Sequence, residues 1–250
     1  MFFLFVFIFV IIIIGDIMKD KVVLLSGIIC YILSFLFIVF YLFMEFSVIN
    51  LYSPIERLKM LLFVFIFMYL GCYLLYKENR CKKFKLGKFN LWILFILYVV
   101  MLLNMTLFDS YFGRTSGTNY LLDFSNISNR FNLLTNLIPF TTVSNYFIAL
   151  SNGNISLGGF VYNIFGNIIA FMPLSLFVPK LIPIINKCFK YFIFASLFII
   201  FIECMQFVLD VGTLDIDDYI LNIFGSMLCY FFINIKCINR FVDKVLYLVN

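Results

Sequence analysis

Glu203 lies inside an otherwise apolar stretch, where a carboxylate is costly to hold away from water. Gln206 follows three residues later on the same helical face. The apolar segment before them carries Asn163 and Asn167 at i,i+4 spacing, and the segment after them carries Asn222 one turn beyond Asp218. An ionisable side chain within a membrane segment is a functional candidate by default, and carboxyl and amide groups on facing helices are the raw material of a polar pocket. The cluster Asp215-Ile-Asp217-Asp218 adds closely spaced acidic oxygens. Asp215 and Asp217 are the candidates for a divalent cation, although no EF-hand spacing accompanies them. Arg130, at the head of the stretch Arg130-Phe-Asn-Leu-Leu-Thr-Asn-Leu-Ile-Pro-Phe140, is a candidate counter-ion for Glu203 or the aspartates.

Each residue also has a purely architectural reading. Asn and Gln in membrane helices hydrogen-bond to neighbouring helices for about 0.6–2 kcal/mol apiece. Asp217 and Asp218 open a helix, where acidic side chains cap free N–H groups and oppose the dipole for about 0.3–1 kcal/mol. Histidine is absent altogether, which removes Ser-His-Asp triads, H-E-x-x-H zinc sites and imidazole proton shuttles. No G-x-G-D motif accompanies the aspartates, and no Lys lies in the interior of a span for Ser-Lys chemistry.

The elements that position these side chains are membrane helices. Of 250 residues, 64% are hydrophobic and 12% charged, with mean hydropathy +1.10, too little polar surface to clothe a soluble globule. The fold class is therefore all-α, a polytopic transmembrane bundle of about seven spans, near residues 2–17, 22–44, 60–76, 89–108, 160–182, 189–209 and 219–235. The first is short and is read as a span rather than a removed signal. Lys19 and Lys21, the run from Lys77 to Lys88, Lys180, Lys187 and Lys190, and Lys236, Arg240 and Lys244 alternate onto one side. That side is cytoplasmic, with the N-terminus outside. The net charge of +5 thus sets orientation and does not imply nucleic-acid binding. The seven cysteines contain no C-x-x-C pair and imply no disulfide framework. No cofactor is implied.

The long external connection at 109–159 holds the amphipathic stretch 130–140, expected to lie in the outer interface or dip into the protein, and a loop at 151–159 where Gly158 and Gly159 turn the chain into the next span. Pro173 should kink the fifth span, while Pro179 and Pro183 should end it. Glu203, Asn163, Asn167 and Asn222 are each expected about 5–10 Å below the outer mouth of their spans, forming one layer under the acidic cluster.

Five ordered signatures, Asn136-Leu-Ile-Pro-Phe140, Gly166-Asn167 followed by Phe171 and Pro173, Glu203-x-x-Gln206, Asp215-x-Asp217-Asp218 and Asn222-x-x-Gly225, make residues 91–235 resemble the VanZ-like family. Gly212 stands where that family often has a basic residue, and Ser175 where it often has Gly. The resemblance implies a small bacterial membrane protein, in a family with a member associated with low-level resistance to the glycopeptide teicoplanin. It divides the chain into residues 1–88, three spans of their own, and a VanZ-like domain at 89–250.

The favoured reading is an envelope protein of the bacterial cytoplasmic membrane whose outer-leaflet polar pocket engages membrane lipids, a lipid-linked cell-wall precursor or a lipophilic glycopeptide. The alternative is a membrane-embedded enzyme on a lipid-linked substrate, with Glu203 as general base and Asp215 and Asp217 holding a metal. A flippase ranks last, since the paired broken helices and internal repeat of such folds are not evident.

Overall fold

The computed structural model describes residues 20–46, 52–77, 86–109, 131 and 134–246. Six helices among them are long and apolar enough to cross a membrane: Lys21–Glu45, Pro54–Leu75, Leu86–Leu107, Leu157–Leu181, Cys188–Val208 and Ile216–Ile233. They match six of the seven expected segments; the seventh, at 2–17, lies outside the described residues. Their outer faces carry side chains such as Phe35, Phe43 and Leu197, each more than 60% exposed, which lipid solvates and water would not. The chain is a multi-pass helical membrane protein. Its described residues fall into two compact units, one up to Leu97 and from Arg240 onward, the other Tyr98–Asn239.

The first unit is built on the hairpin of α1 (Asp20–Glu45) and α2 (Pro54–Lys77). Ser53 and Glu56 form a capping box at the start of α2: Glu56 accepts the Ser53 N–H at 2.8 Å and the Ser53 hydroxyl accepts the Glu56 N–H at 3.4 Å. Val23 and Cys30 pack against Leu70 and Leu74. Gly71 lets the helices approach, because a Cβ there would lie 2.8 Å from the Tyr31 ring. Asn90, on α3 (Leu86–Leu107), donates to the Tyr31 hydroxyl at 2.9 Å. At the turn of the hairpin Glu45 and Arg57 form a buried ion pair at 3.6 Å.

In the second unit, β1 (Thr135–Asn136) pairs in parallel with β2 (Leu214–Asp215), a two-residue bridge among helices in the described residues. Between them run α4 (Thr141–Ser151), α5 (Leu157–Ala170), α6 (Leu174–Leu181), a 3-10 turn at Pro183–Ile185 and α7 (Cys188–Val208). After β2 come α8 (Ile216–Ile233) and α9 (Lys236–Val245), the latter crossing into the first unit. In the stretch 130–140, expected to be amphipathic, the described residues are helical at Phe131 and Leu134, then strand at 135–136 and turn, and a further helix begins at Thr141. Gly158 and Gly159 do not form a loop. Ser156 caps α5 by accepting the Gly159 N–H at 3.1 Å, so both glycines lie in its first turn.

The fifth span breaks at Phe171–Pro173, where the expected kink becomes a full interruption between α5 and α6. Pro173, lacking an N–H, cannot bond back to Ile169, whose carbonyl takes the Met172 N–H at 3.2 Å, and it opens α6 instead. Tyr98 donates its hydroxyl to the Ala170 carbonyl at 2.7 Å, and Ser175 donates to the Met172 carbonyl at 2.7 Å. Pro179 does not end the helix but sits inside α6; Pro183 opens the 3-10 turn beyond it. α7 closes with a Schellman turn: Asp210 adopts φ 59, the Val211 N–H donates to the Gln206 carbonyl at 3.0 Å and the Asp210 N–H to that of Phe207 at 3.3 Å.

Candidate functional site

The start of α8 is where the expected site residues gather. Asp215 ends β2 and caps α8, accepting the Asp217 N–H at 2.9 Å. The same carboxylate accepts Asn136 Nδ2 at 3.2 Å and the Thr142 hydroxyl at 2.5 Å. Asp217 accepts the Phe140 N–H at 2.5 Å and the Val143 N–H at 3.0 Å. These two N–H groups belong to the opening of α4, where no intrahelical acceptor exists. Phe140 has no side-chain oxygen to cap that helix and holds φ 66 at its N-cap. Asp217 caps it from far away in sequence, placing negative charge where the helix dipole favours it. Each of the four oxygens of Asp215 and Asp217 thus receives a donor from the 136–143 segment or from α8 itself.

Asp218 points the other way and accepts Asn167 Nδ2 of α5 at 2.5 Å. Tyr146, on α4, lies near this acidic group: burial, then the negative charges of Asp218 and Asp215, raise its phenol above the ordinary tyrosine range. One turn further along α8, Asn222 donates Nδ2 to Glu203 Oε1 at 3.3 Å. Both side chains are nearly excluded from solvent, at 2% and 4% exposure. Asn222 Oδ1 is also buried and accepts no hydrogen bond among the described residues. Gln206 donates to the Thr106 carbonyl at 3.0 Å, satisfying a group that the last turn of α3 leaves open.

Gly225 sets the spacing of this arrangement. A Cβ there would stand 1.8 Å from the Ile168 carbonyl oxygen, so α8 rests directly on the backbone of α5. Deeper along α8, the hydroxyls of Ser226 and Tyr191 meet at 2.5 Å, both buried.

The structure therefore brings together Asn167 with Asp218, Glu203 with Asn222, and Asp215 and Asp217 with the segment after β1. Gln206 lies on the same helix face as Glu203 but serves α3. Asn163 stands apart: it is exposed on α5 and donates to the Gly159 carbonyl of its own helix at 2.9 Å. The expected single layer is in fact two tiers, since the first turn of α8 meets α5 at Asn167, and Glu203 and Asn222 lie about 6 Å further along α8. Arg130 lies outside the described residues. Sequence reading passed over Thr142, Tyr146, Tyr98, Tyr191 and Ser226. Tyrosines within apolar spans are the one cue that could have marked some of them, since a buried hydroxyl needs a partner.

The sequence profile of the VanZ/LLP1 family matches residues 95–237, more than half of the chain. No curated protein matches the chain, and no solved structure does.

Proposed function

The chain belongs to the VanZ/LLP1 family, and on that footing we propose that it is an envelope protein of the bacterial cytoplasmic membrane that engages an amphiphile through the polar tiers of its second unit. The ligand is a lipid, a lipid-linked cell-wall precursor or a lipophilic glycopeptide, and the physiological readout is protection against teicoplanin. In this reading residues 1–88 form a separate membrane region and 89–250 the VanZ-like domain, with the N-terminus outside and the start of α8 in the outer leaflet. The alternation of basic clusters supports that orientation.

The observation that carries the proposal is the buried meeting of Glu203 and Asn222. The amide of Asn222, on another helix, holds this carboxyl in a defined orientation. Asn222 adds a buried carbonyl oxygen that accepts nothing among the described residues, so the tier presents acceptors. Its complement is a group rich in donors, such as the hydroxyls and amides of a glycolipid or glycopeptide. An enzyme using Asp215 and Asp217 as metal ligands is the weaker reading, because their oxygens already hold α4 and the first turn of α8.

The test is teicoplanin susceptibility of a sensitised bacterium expressing the chain. Glu203→Gln and Asp217→Asn, made at normal membrane levels, are each expected to abolish the protection the parent gives. Full protection by both variants would remove these residues from the explanation.

A further inference from the structure

Residues 131 to 179 contain no Asp, Glu, Lys or Arg, so the connection leading into α5 is as free of charge as the span it joins. The turn after β1 and one face of α4 present Leu137, Ile138, Phe140, Phe147 and Ile148, each 54–70% exposed. In water such a patch would drive association.

Two contacts fix where this patch lies along the bundle. The Asn167–Asp218 bond sets the first turn of α8 against a point ten residues into α5, about 15 Å along its axis from Leu157. Asp217, adjacent on α8, holds the N–H groups of Phe140 and Val143. The apolar turn is therefore tied well inside the end of the span and not beyond it.

Irregular backbone at membrane depth is tolerated only where its polar groups find partners within the protein. Four N–H groups of the turn meet that condition. Ile138 N–H donates to Asn136 Oδ1 at 3.3 Å, Pro139 has no N–H, Thr141 N–H donates to the Ile138 carbonyl at 3.4 Å, and Asp217 takes those of Phe140 and Val143.

We infer that residues 137–148 form a re-entrant wedge inserted among the acyl chains of the leaflet that holds the start of α8, with lipid hydrocarbon as its partner. Asp215 and Asp217 are the anchor that lets the wedge enter. The inference rests on α5 and α8 spanning a membrane and does not depend on the ligand reading above.

Trp92 is the chain's one tryptophan, so a Trp92→Phe background accepts a single reporter. Tryptophan placed at Ile138 or at Phe147 of the whole protein, in phosphatidylcholine vesicles brominated on the acyl chain, is expected to lose most of its emission and to resist aqueous acrylamide. Asn154→Trp, in the exposed turn before α5, should behave in the opposite way. Quenching of the reporters at 138 and 147 by acrylamide, with no response to bromolipid, would overturn the wedge. Should Ile138→Trp fail to fold, Phe147→Trp exchanges one exposed aromatic for another and decides the matter alone.

Discussion

The two units each bury a glutamate, and they treat it differently. Glu45, at the end of α1, meets the Arg57 guanidinium of α2 at 3.6 Å, with both side chains excluded from solvent. Arg57 also donates to the Tyr52 carbonyl at 3.2 Å. The pair is local in sequence, closes the hairpin and balances its own charge. Glu203 accepts the amide of Asn222 from another helix, at 3.3 Å. A guanidinium brings a counter-charge to the carboxylate it meets, whereas an amide contributes a neutral hydrogen bond. Burial alone therefore does not mark a functional carboxyl: Glu45 closes a hairpin with a neighbour in sequence, whereas Glu203 joins two helices inside the region that the family profile matches.

The strongest way to break this contrast is to remove the cation. Arg57→Ala leaves Glu45 buried without its counter-charge and is expected to cost about 3–5 kcal/mol. Thermal unfolding of the purified protein in detergent measures it. The pair replaced together, Glu45→Leu with Arg57→Met, should recover most of that loss, because a hydrophobic pair of similar volume is often neutral relative to a buried ion pair. If Arg57→Ala unfolds like the parent, Glu45 is not held by its partner and the contrast collapses.

Smaller effects test the supports of the Glu203 tier. Asp217→Asn loses charge-assisted bonds to two backbone N–H groups and is expected to cost about 1.5–3 kcal/mol. Because the loss falls on the opening of α4, limited proteolysis between 137 and 151 should accelerate well before global unfolding. Gly225→Ala drives a Cβ into the Ile168 carbonyl and is expected to cost about 1–3 kcal/mol by overpacking. It should also separate α8 from α5, which a disulfide cross-link between Cys substituted at Asn167 and at Asp218 would report by forming less readily than in the Gly225 background.

The difference between the units also explains what could be read from the chain beforehand. Helices follow from runs of apolar residues long enough to cross a bilayer, and the break at Phe171–Pro173 follows from a proline without an N–H. The pairing of amides and carboxyls was partly legible, since Asn167, Glu203 and Asn222 are polar groups in apolar segments. Asn163 misled because face and spacing say nothing of a side chain that satisfies itself on its own helix. The anchor of α4 was out of reach for another reason. Its donors are the backbone N–H groups of Phe140 and Val143, which every residue but proline carries, and their acceptor lies more than seventy residues away. Gly225 appeared only as a motif letter; its meaning is a helix crossing with no room for a methyl group.

The smallest expected change in stability is the most informative. Glu203→Gln keeps the shape and retains an oxygen to accept from Asn222, so the tier loses charge or proton but not its packing. It is expected to shift stability by less than about 1 kcal/mol, within the range of one neutral hydrogen bond. Glu45→Gln is its control, because the same exchange leaves Arg57 buried with a weakened partner and should destabilise by more. Thermal unfolding of the two variants side by side measures both. A destabilised Glu203→Gln would make this carboxyl a structural element like Glu45, and any loss of protection in the cell would then report folding. A stable Glu203→Gln without protection would leave the carboxyl's chemistry as the difference.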